Sequence, residues 1–349
     1  MSLARAFDFI IQWHLTEKCN LRCRHCYQEG NNFIELPESI IDATITEISQ
    51  MLQAWQEAYD IQFSPSFNVT GGEPFLRPDI YDILAKMTAR GFSCYLLSNG
   101  TRINGERAQR LADLGVAGVQ VSLEGPEEVH DPIRGEGSFS QALKGICHLL
   151  EAGVEVSINC TLFQLNAAYW QDLVDLAVSL GVARLGFSRL VPSGRGSVML
   201  PQMLSPGQLK ELYGQIFSLK KEGLEIITGD PVAAQMGTPA PAGGDDDIPA
   251  GGCAAGVAGL TIQADGVVTP CRRLPLPLGR VGQDSLREIW ATSPVLAKIR
   301  DKSQYGGKCG NCERWADCRG CRGVAYAYSQ SQGRPDYLAP DPQCFISRD

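Results

Sequence analysis

Six times between Phe7 and Arg189 a short apolar stretch gives way to a longer helical pattern, and that alternation leaves the chain few folds to choose from. The expected strands are residues 7–15 (FDFIIQWHL), 67–70 (FNVT), 94–98 (CYLLS), 118–123 (GVQVSL), 154–160 (VEVSINC) and 184–189 (RLGFSR). The helices that follow them are expected over 37–58, 77–90, 103–114, 138–152, 167–180 and 205–222. Pro37 opens the first where proline is tolerated, and Asn166 or Ser205 can cap later ones. Repeated strand-helix units pair in parallel, and a parallel sheet needs both faces covered. The class is therefore α/β, either an incomplete barrel or a doubly wound sheet. Both keep ligands at the carboxyl ends of their strands.

After Leu224 the texture changes. Residues 236–252, MGTPAPAGGDDDIPAGG, have no apolar period and read as a linker or a lid. From Cys253 onward the chain is rich in cysteine and glycine and short of long helices, as when metal organises a small domain. The expected division is a barrel over 1–222, a connecting loop over 223–252 and a cysteine-rich domain over 253–349. A hydrophobic fraction of 44% with 20% charged residues suits a folded chain. No apolar run approaches the roughly 18 residues that cross a bilayer, and residues 1–6 lack a secretory signal, so the expected place is the cytoplasm and not a membrane. A net charge of -8 argues against nucleic acid as partner.

Thirteen cysteines without an export signal point to metal or redox chemistry rather than disulfides. Cys19, Cys23 and Cys26 form CxxxCxxC directly after the first strand, where three thiolates can converge. Structural zinc and ordinary four-iron clusters want four protein ligands, so three leave one metal position open to an exogenous ligand. A zinc site completed by His14 or His25, or simply buried thiols, is the competing reading. Cys94, Cys147 and Cys160 lie in apolar patterns, where cysteine behaves as a small buried hydrophobe, and are assigned no chemistry.

This constellation resembles the radical SAM superfamily, whose CxxxCxxC usually has an aromatic residue before its last cysteine, as His25 is here. The resemblance implies a partial (β/α)6 TIM-like barrel and a [4Fe-4S] cluster whose open iron is chelated by S-adenosylmethionine (SAM). Further matches fall at strand ends. Gly71, Gly72, Glu73 and Pro74 look like the family's GGEP motif, which grips the methionine amino group; glycine permits close backbone approach and Glu73 can accept from an ammonium. By the same resemblance His25, Tyr27, Ser98, Asn99, Ser122, Glu124 and Asn159 belong to the cofactor-binding set, and Arg134 pairs with the cofactor carboxylate through its planar fork.

The C-terminal pattern resembles a SPASM domain: Cys253, twelve residues, Gly266, four residues, Cys271, then Cys309-x2-Cys312-x5-Cys318-x2-Cys321, and Cys344. The two residues between Cys318 and Cys321 depart from the three more usual in that family. Such domains carry two auxiliary four-iron clusters, which would need eight thiolates where this chain has seven. The resemblance assigns Cys253, Cys271 and Cys321 to the first, with an open iron or a non-cysteine ligand, and Cys309, Cys312, Cys318 and Cys344 to the second. A zinc ribbon is the alternative for Cys309, Cys312, Cys318 and Cys321.

The implied reaction is reductive cleavage of SAM to a 5'-deoxyadenosyl radical, which takes hydrogen from a substrate while the auxiliary clusters accept an electron. Relatives with SPASM domains mostly modify peptides, so maturation of a ribosomally made peptide by thioether or other crosslinking is the first expectation. Tetrapyrrole side-chain modification, as in haem biosynthesis, is the second, and a non-catalytic zinc scaffold the rival from another class. Expected partners are a peptide, an electron donor such as flavodoxin or ferredoxin, and a separate leader-binding protein, since few residues precede the first strand. Arg189 and Arg195 can meet substrate carboxylates.

Overall fold

Alternation along the first strand sets the frame. The computed structural model describes residues 6–30, 34–237, 248–249 and 251–346, so most of the acidic 236–252 stretch lies outside the described residues. Strand β1 (Ala6–His14) turns Phe9, Ile11 and Trp13 to one buried face. Then β2 (Gln62–Thr70), β3 (Ser93–Ser98), β4 (Gly118–Ser122), β5 (Val156–Leu162) and β6 (Arg184–Arg189) add in order, each parallel to the last. A short β7 (Glu225–Ile227) extends the row beyond β6.

Helices α1 (Glu38–Tyr59), α2 (Ile80–Thr88), α3 (Gly105–Asp113), α4 (Glu127–Arg134), α5 (Ser138–Glu151), α6 (Trp170–Leu180) and α7 (Pro206–Ser218) fall between the strands. Helix α1 buries Ile41, Ile45, Ile48, Met51 and Leu52, a helix-period stripe, and each such side chain contributes roughly 1.5–3 kcal/mol. Ser205 starts α7 with a full capping box shared with Gln208. Asn166 caps nothing by its side chain; its amide donates instead to the carbonyls of Glu124 (3.0 Å) and Thr161 (2.9 Å).

The cysteine-rich half joins the same sheet. Its first strand, β8 (Gly259–Ile262), runs parallel to β1 on the side away from β2, and β9 (Val267–Thr269) and β10 (Gly279–Arg280) continue antiparallel. Short helices follow: α8 (Leu286–Thr292), α9 (Pro294–Arg300), α10 (Gly307–Gly310) and α11 (Arg322–Ser331). Leu260, Leu274, Leu286 and Trp315 belong to the apolar core that also holds β1, so apolar packing helps to organise this half.

Strand β2 and helix α4 differ from the pattern-based expectation for physical reasons. Strand β2 begins at Gln62 although Pro65 lies within it; pairing with β3 starts only at Ser66, so the missing proline N–H falls where one neighbour is absent. Helix α4 forms around the charged EEVHDPIR, which has too little apolar period to read as a helix.

At the end of β6 the Arg189 guanidinium meets Asp230 and Asp341, with side chains only 2%, 3% and 1% exposed. Asp230 also accepts from the Tyr213 hydroxyl, and Asp341 accepts from the backbone N–H of Cys321 (2.8 Å) and of Gln343 (2.9 Å). The network ties the barrel to the C-terminal segment, and Arg189 answers the protein's own carboxylates. Arg189→Met strands two buried charges and should destabilise the fold by about 3–5 kcal/mol in urea titration; a loss under 1 kcal/mol would show the network to be idle.

Candidate active site

The cysteine loop has little secondary structure of its own, and backbone bonds place it. Gly72 N–H donates to Thr16 O (2.7 Å) and Glu73 N–H to Lys18 O (2.8 Å), zipping the loop after β1 to the end of β2. A Cβ on Gly71 would lie 2.4 Å from Thr16 O and one on Gly72 2.3 Å from Lys18 O, so both glycines are needed for this approach.

Cys19, Cys23 and Cys26 line one cavity of about 320 Å³ at the carboxyl ends of the strands. His25, Tyr27, Gly71, Gly72, Ser98, Asn99, Ser122, Arg134 and Asn159 share its wall. Glu73, Pro74 and Glu124 do not line it. Glu73 is fully buried, its carboxylate accepting from Ser98 Oγ (2.9 Å), Asn99 N–H (2.9 Å) and Phe75 N–H (3.4 Å). It locks the end of β2 to the end of β3. Burial pushes it up to about 7 against the pull of those bonds. Pro74 starts a buried 3-10 turn.

Glu124 is also buried and holds the Arg134 guanidinium through Oε1, while Oε2 accepts from Thr161 N–H (2.8 Å). The Arg134 charge and His25, 3.4 Å away, keep Glu124 below the usual carboxylate range against the cost of burial. Arg134 Nη1 in turn faces Cys23 Sγ at 3.8 Å. Leu21 N–H points at Cys19 Sγ (3.4 Å), and Asn99 Nδ2 lies 4.0 Å from the same sulfur.

Burial pushes the Cys19 thiol up to about 11 and raises Cys23, with Arg134 opposing. Bare thiolates are costly here, whereas a bound metal core stabilises them, and the donors aimed at sulfur suit that state. The residues thus fit an iron-sulfur core with an open face toward the cavity. His14 is not placed to complete a zinc site: both ring nitrogens are engaged, by Tyr27 OH (3.4 Å) and Gln28 Nε2 (2.9 Å). Burial and nearby Arg272 lower it to about 3. No three His, Cys, Asp or Glu side chains among the described residues converge on a single-ion site.

The seven C-terminal cysteines fall into two groups. Cys309, Cys312, Cys318 and Cys344 line one small pocket together with Gln235. The Cys253 thiol lies near both Cys271 and Cys321 and raises each, adding to burial, which brings Cys321 to about 12. Cys94 and Cys160 are buried within strands, whereas Cys147 on α5 is exposed rather than a core thiol.

Residues 13–177 match the model of the radical SAM superfamily, and residues 253–322 match SPASM, an iron-sulfur cluster-binding domain. The chain is 31% identical to the AdoMet-dependent heme synthase of Oleidesulfovibrio alaskensis, over 96% of this chain and 86% of that one. This chain belongs to the radical SAM superfamily.

It pairs that domain with a SPASM domain, and these indicate iron-sulfur clusters and SAM as cofactors. It is also 31% identical to the mycofactocin maturase MftC of Mycobacterium tuberculosis, over 96% of this chain and 82% of that one. Streptococcus suis SuiB bound to S-adenosylmethionine shares the fold, with a TM-score of 0.73 at 17% identity over 98% of this chain and 78% of SuiB.

Pattern reading located the cysteines and strand-end polar residues but missed Arg22, Arg272, Arg273 and Gln235, all of which line these pockets. Adjacency to Cys271 was the available signal for Arg272 and Arg273; Gln235 had none. Glu73→Gln replaces an accepting oxygen by an amide facing buried donors. It should cost about 1–3 kcal/mol of stability by thermal or urea unfolding; an unchanged midpoint would mean Glu73 is not the clamp between β2 and β3.

Proposed function

We propose that this protein cleaves SAM reductively at Cys19, Cys23 and Cys26 and abstracts hydrogen from an organic substrate held at the barrel mouth. The observation that carries this is the single cavity: its wall runs from those three cysteines, past the strand-end polar side chains, to Arg272 and Arg273 beside Cys271. The proposed radical source thus faces a space whose wall includes the two residues directly after Cys271. When bound, the cluster and SAM supply a 5'-deoxyadenosyl radical.

The chain's own residues do the positioning. Arg134, held by buried Glu124, presents a fixed guanidinium beside Cys23 for a cofactor carboxylate. Glu73 fixes the backbone of Asn99, whose side chain reaches toward Cys19. Cys253, Cys271 and Cys321 would hold a first auxiliary cluster, its remaining position filled by substrate or a non-cysteine group, and Cys309, Cys312, Cys318 and Cys344 a second. Residues 253–349 act as the electron-accepting part, with flavodoxin or ferredoxin as the reductant for the first step. No helix among the described residues is long and apolar enough to cross a membrane, in keeping with a cytoplasmic place.

For the substrate we favour a tetrapyrrole side chain, supported by the heme synthase relatives, which match nearly the whole chain. Peptide maturation, with or without a leader-binding partner, is the second reading, supported by the mycofactocin maturases at similar identity.

Anaerobically reconstituted protein should hold roughly twelve irons and form 5'-deoxyadenosine from SAM, and alanine at Cys19, Cys23 and Cys26 should leave about eight irons and no product. Stoichiometric zinc without cleavage would replace this reading by the scaffold. Gln235 Nε2 lies 3.5 Å from both Cys318 Sγ and Cys344 Sγ, and such donors favour the reduced, more negative cluster. Gln235→Leu should lower one auxiliary midpoint potential by tens of millivolts, about what one or two hydrogen bonds supply; an unmoved potential would remove Gln235 from the cluster's surroundings.

A further inference from the structure

The chain is acidic overall, with a net charge of -8, yet the cavity at the barrel mouth is lined by Lys18 and six arginines against one carboxylate, Glu17. Three of these cations are answered inside the protein: Lys18 by Glu35 at 3.2 Å, Arg134 by Glu124, and Arg189 by Asp230 and Asp341. Arg22, Arg195, Arg272 and Arg273 have no carboxylate partner among the described residues. Arg195 donates only to backbone carbonyls, those of Cys23 (3.5 Å) and Glu29 (3.0 Å).

The four form two pairs. Arg22 and Arg195 converge over Gly30, where a Cβ would lie 3.2 Å from Arg22 Nη1 and 2.9 Å from Arg195 Nη1. Glycine at φ +73 leaves that space to the two guanidinium groups. Arg272 and Arg273 are consecutive, directly after Cys271, and Arg272 Nε is buried without a hydrogen-bond partner. Its guanidinium lies 5.9 Å from the centre of the Tyr27 ring, which sits between the two cysteine sites.

Two adjacent guanidinium groups repel one another in a partly desolvated wall, and a buried donor without an acceptor costs free energy. Both costs are relieved by an anion with oxygen acceptors. SAM carries one carboxylate, and Arg134 already stands beside Cys23 to meet it, which leaves these pairs in excess of the cofactor's need. The planar fork of arginine matches a carboxylate through two parallel bonds, which lysine cannot do.

The geometry points to a carboxylate clamp: Arg22 with Arg195, and Arg272 with Arg273, bind separate carboxylates of a polycarboxylate substrate and set its orientation between the radical source and the first auxiliary site. This rests on the tetrapyrrole reading above and deepens it, because propionate side chains are the groups the clamp would hold. A peptide with one terminal carboxylate would engage only one pair.

The test uses the full chain, anaerobically reconstituted, titrated by fluorescence with coproporphyrin III, a tetracarboxylate macrocycle, and with its tetramethyl ester. The tetra-acid should bind at least tenfold more tightly than the ester. Arg272→Gln with Arg273→Gln, and separately Arg22→Gln with Arg195→Gln, should each weaken the tetra-acid about tenfold or more, since charge-assisted bonds of this type are among the stronger ones. Arg272→Lys with Arg273→Lys should recover part of the loss. Iron content and SAM affinity, measured on the same preparations, separate the clamp from a supporting role. Equal binding of acid and ester, no binding of either, or variants that lose iron or SAM affinity instead would each overturn the clamp. Absence of SAM cleavage in the wild-type protein would sink the radical reading itself, whatever the porphyrin does.

Discussion

Two backbone hydrogen bonds, from Gly72 to Thr16 and from Glu73 to Lys18, fix the loop on which the proposed chemistry depends. The loop carrying Cys19, Cys23 and Cys26 has no helix or strand to hold it. It is clamped instead to the end of β2, and the clamp closes only because Gly71 and Gly72 have no Cβ to meet the carbonyls opposite. Glu73 then carries the constraint to β3 by binding Ser98 and Asn99. One short motif thereby sets the cysteine loop and two strand ends in a common register, at the end of a parallel sheet where ligands collect.

Buried charge is spent in two different ways around that mouth. Glu124 with Arg134 and Arg189 with Asp230 and Asp341 are closed pairs, with nearly every oxygen engaged. Such pairs specify geometry more than they add stability, and removing one partner is what costs most. The arginines near Gly30 and after Cys271 are open, with nitrogen donors and no carboxylate partner among the described residues. The contrast separates the closed Arg189 cluster, which holds the protein, from groups able to hold something else; Arg134 does both, held by Glu124 while its Nη1 faces Cys23 in the cavity wall.

Much of this was legible in the residues. Strand β6 falls on the expected 184–189, the capping box of Ser205 starts α7, and the three-cysteine loop follows β1 as its position implies. What escaped has a common cause, because it depends on partners distant in sequence. Strands β7 and β8 are three and four residues long, too short for any period to show, and β8 exists by pairing with β1 some 250 residues earlier. Glu73 was assigned to the cofactor by its place in GGEP, and its bonds to groups 25 and 26 residues on, which tie β2 to β3, had no local signal. Gln235 meets Cys318 and Cys344 from a turn with no sequence mark at all.

The most direct measurement is low-temperature electron paramagnetic resonance of the dithionite-reduced, anaerobically reconstituted protein with and without SAM. An exchangeable position at the Cys19, Cys23 and Cys26 site predicts that SAM shifts the signal of one cluster alone, and that the shift vanishes in the triple alanine variant while the auxiliary signals persist. A spectrum indifferent to SAM, or a shift that survives loss of those three cysteines, would contradict the assignment of the cavity as a SAM-cleaving site.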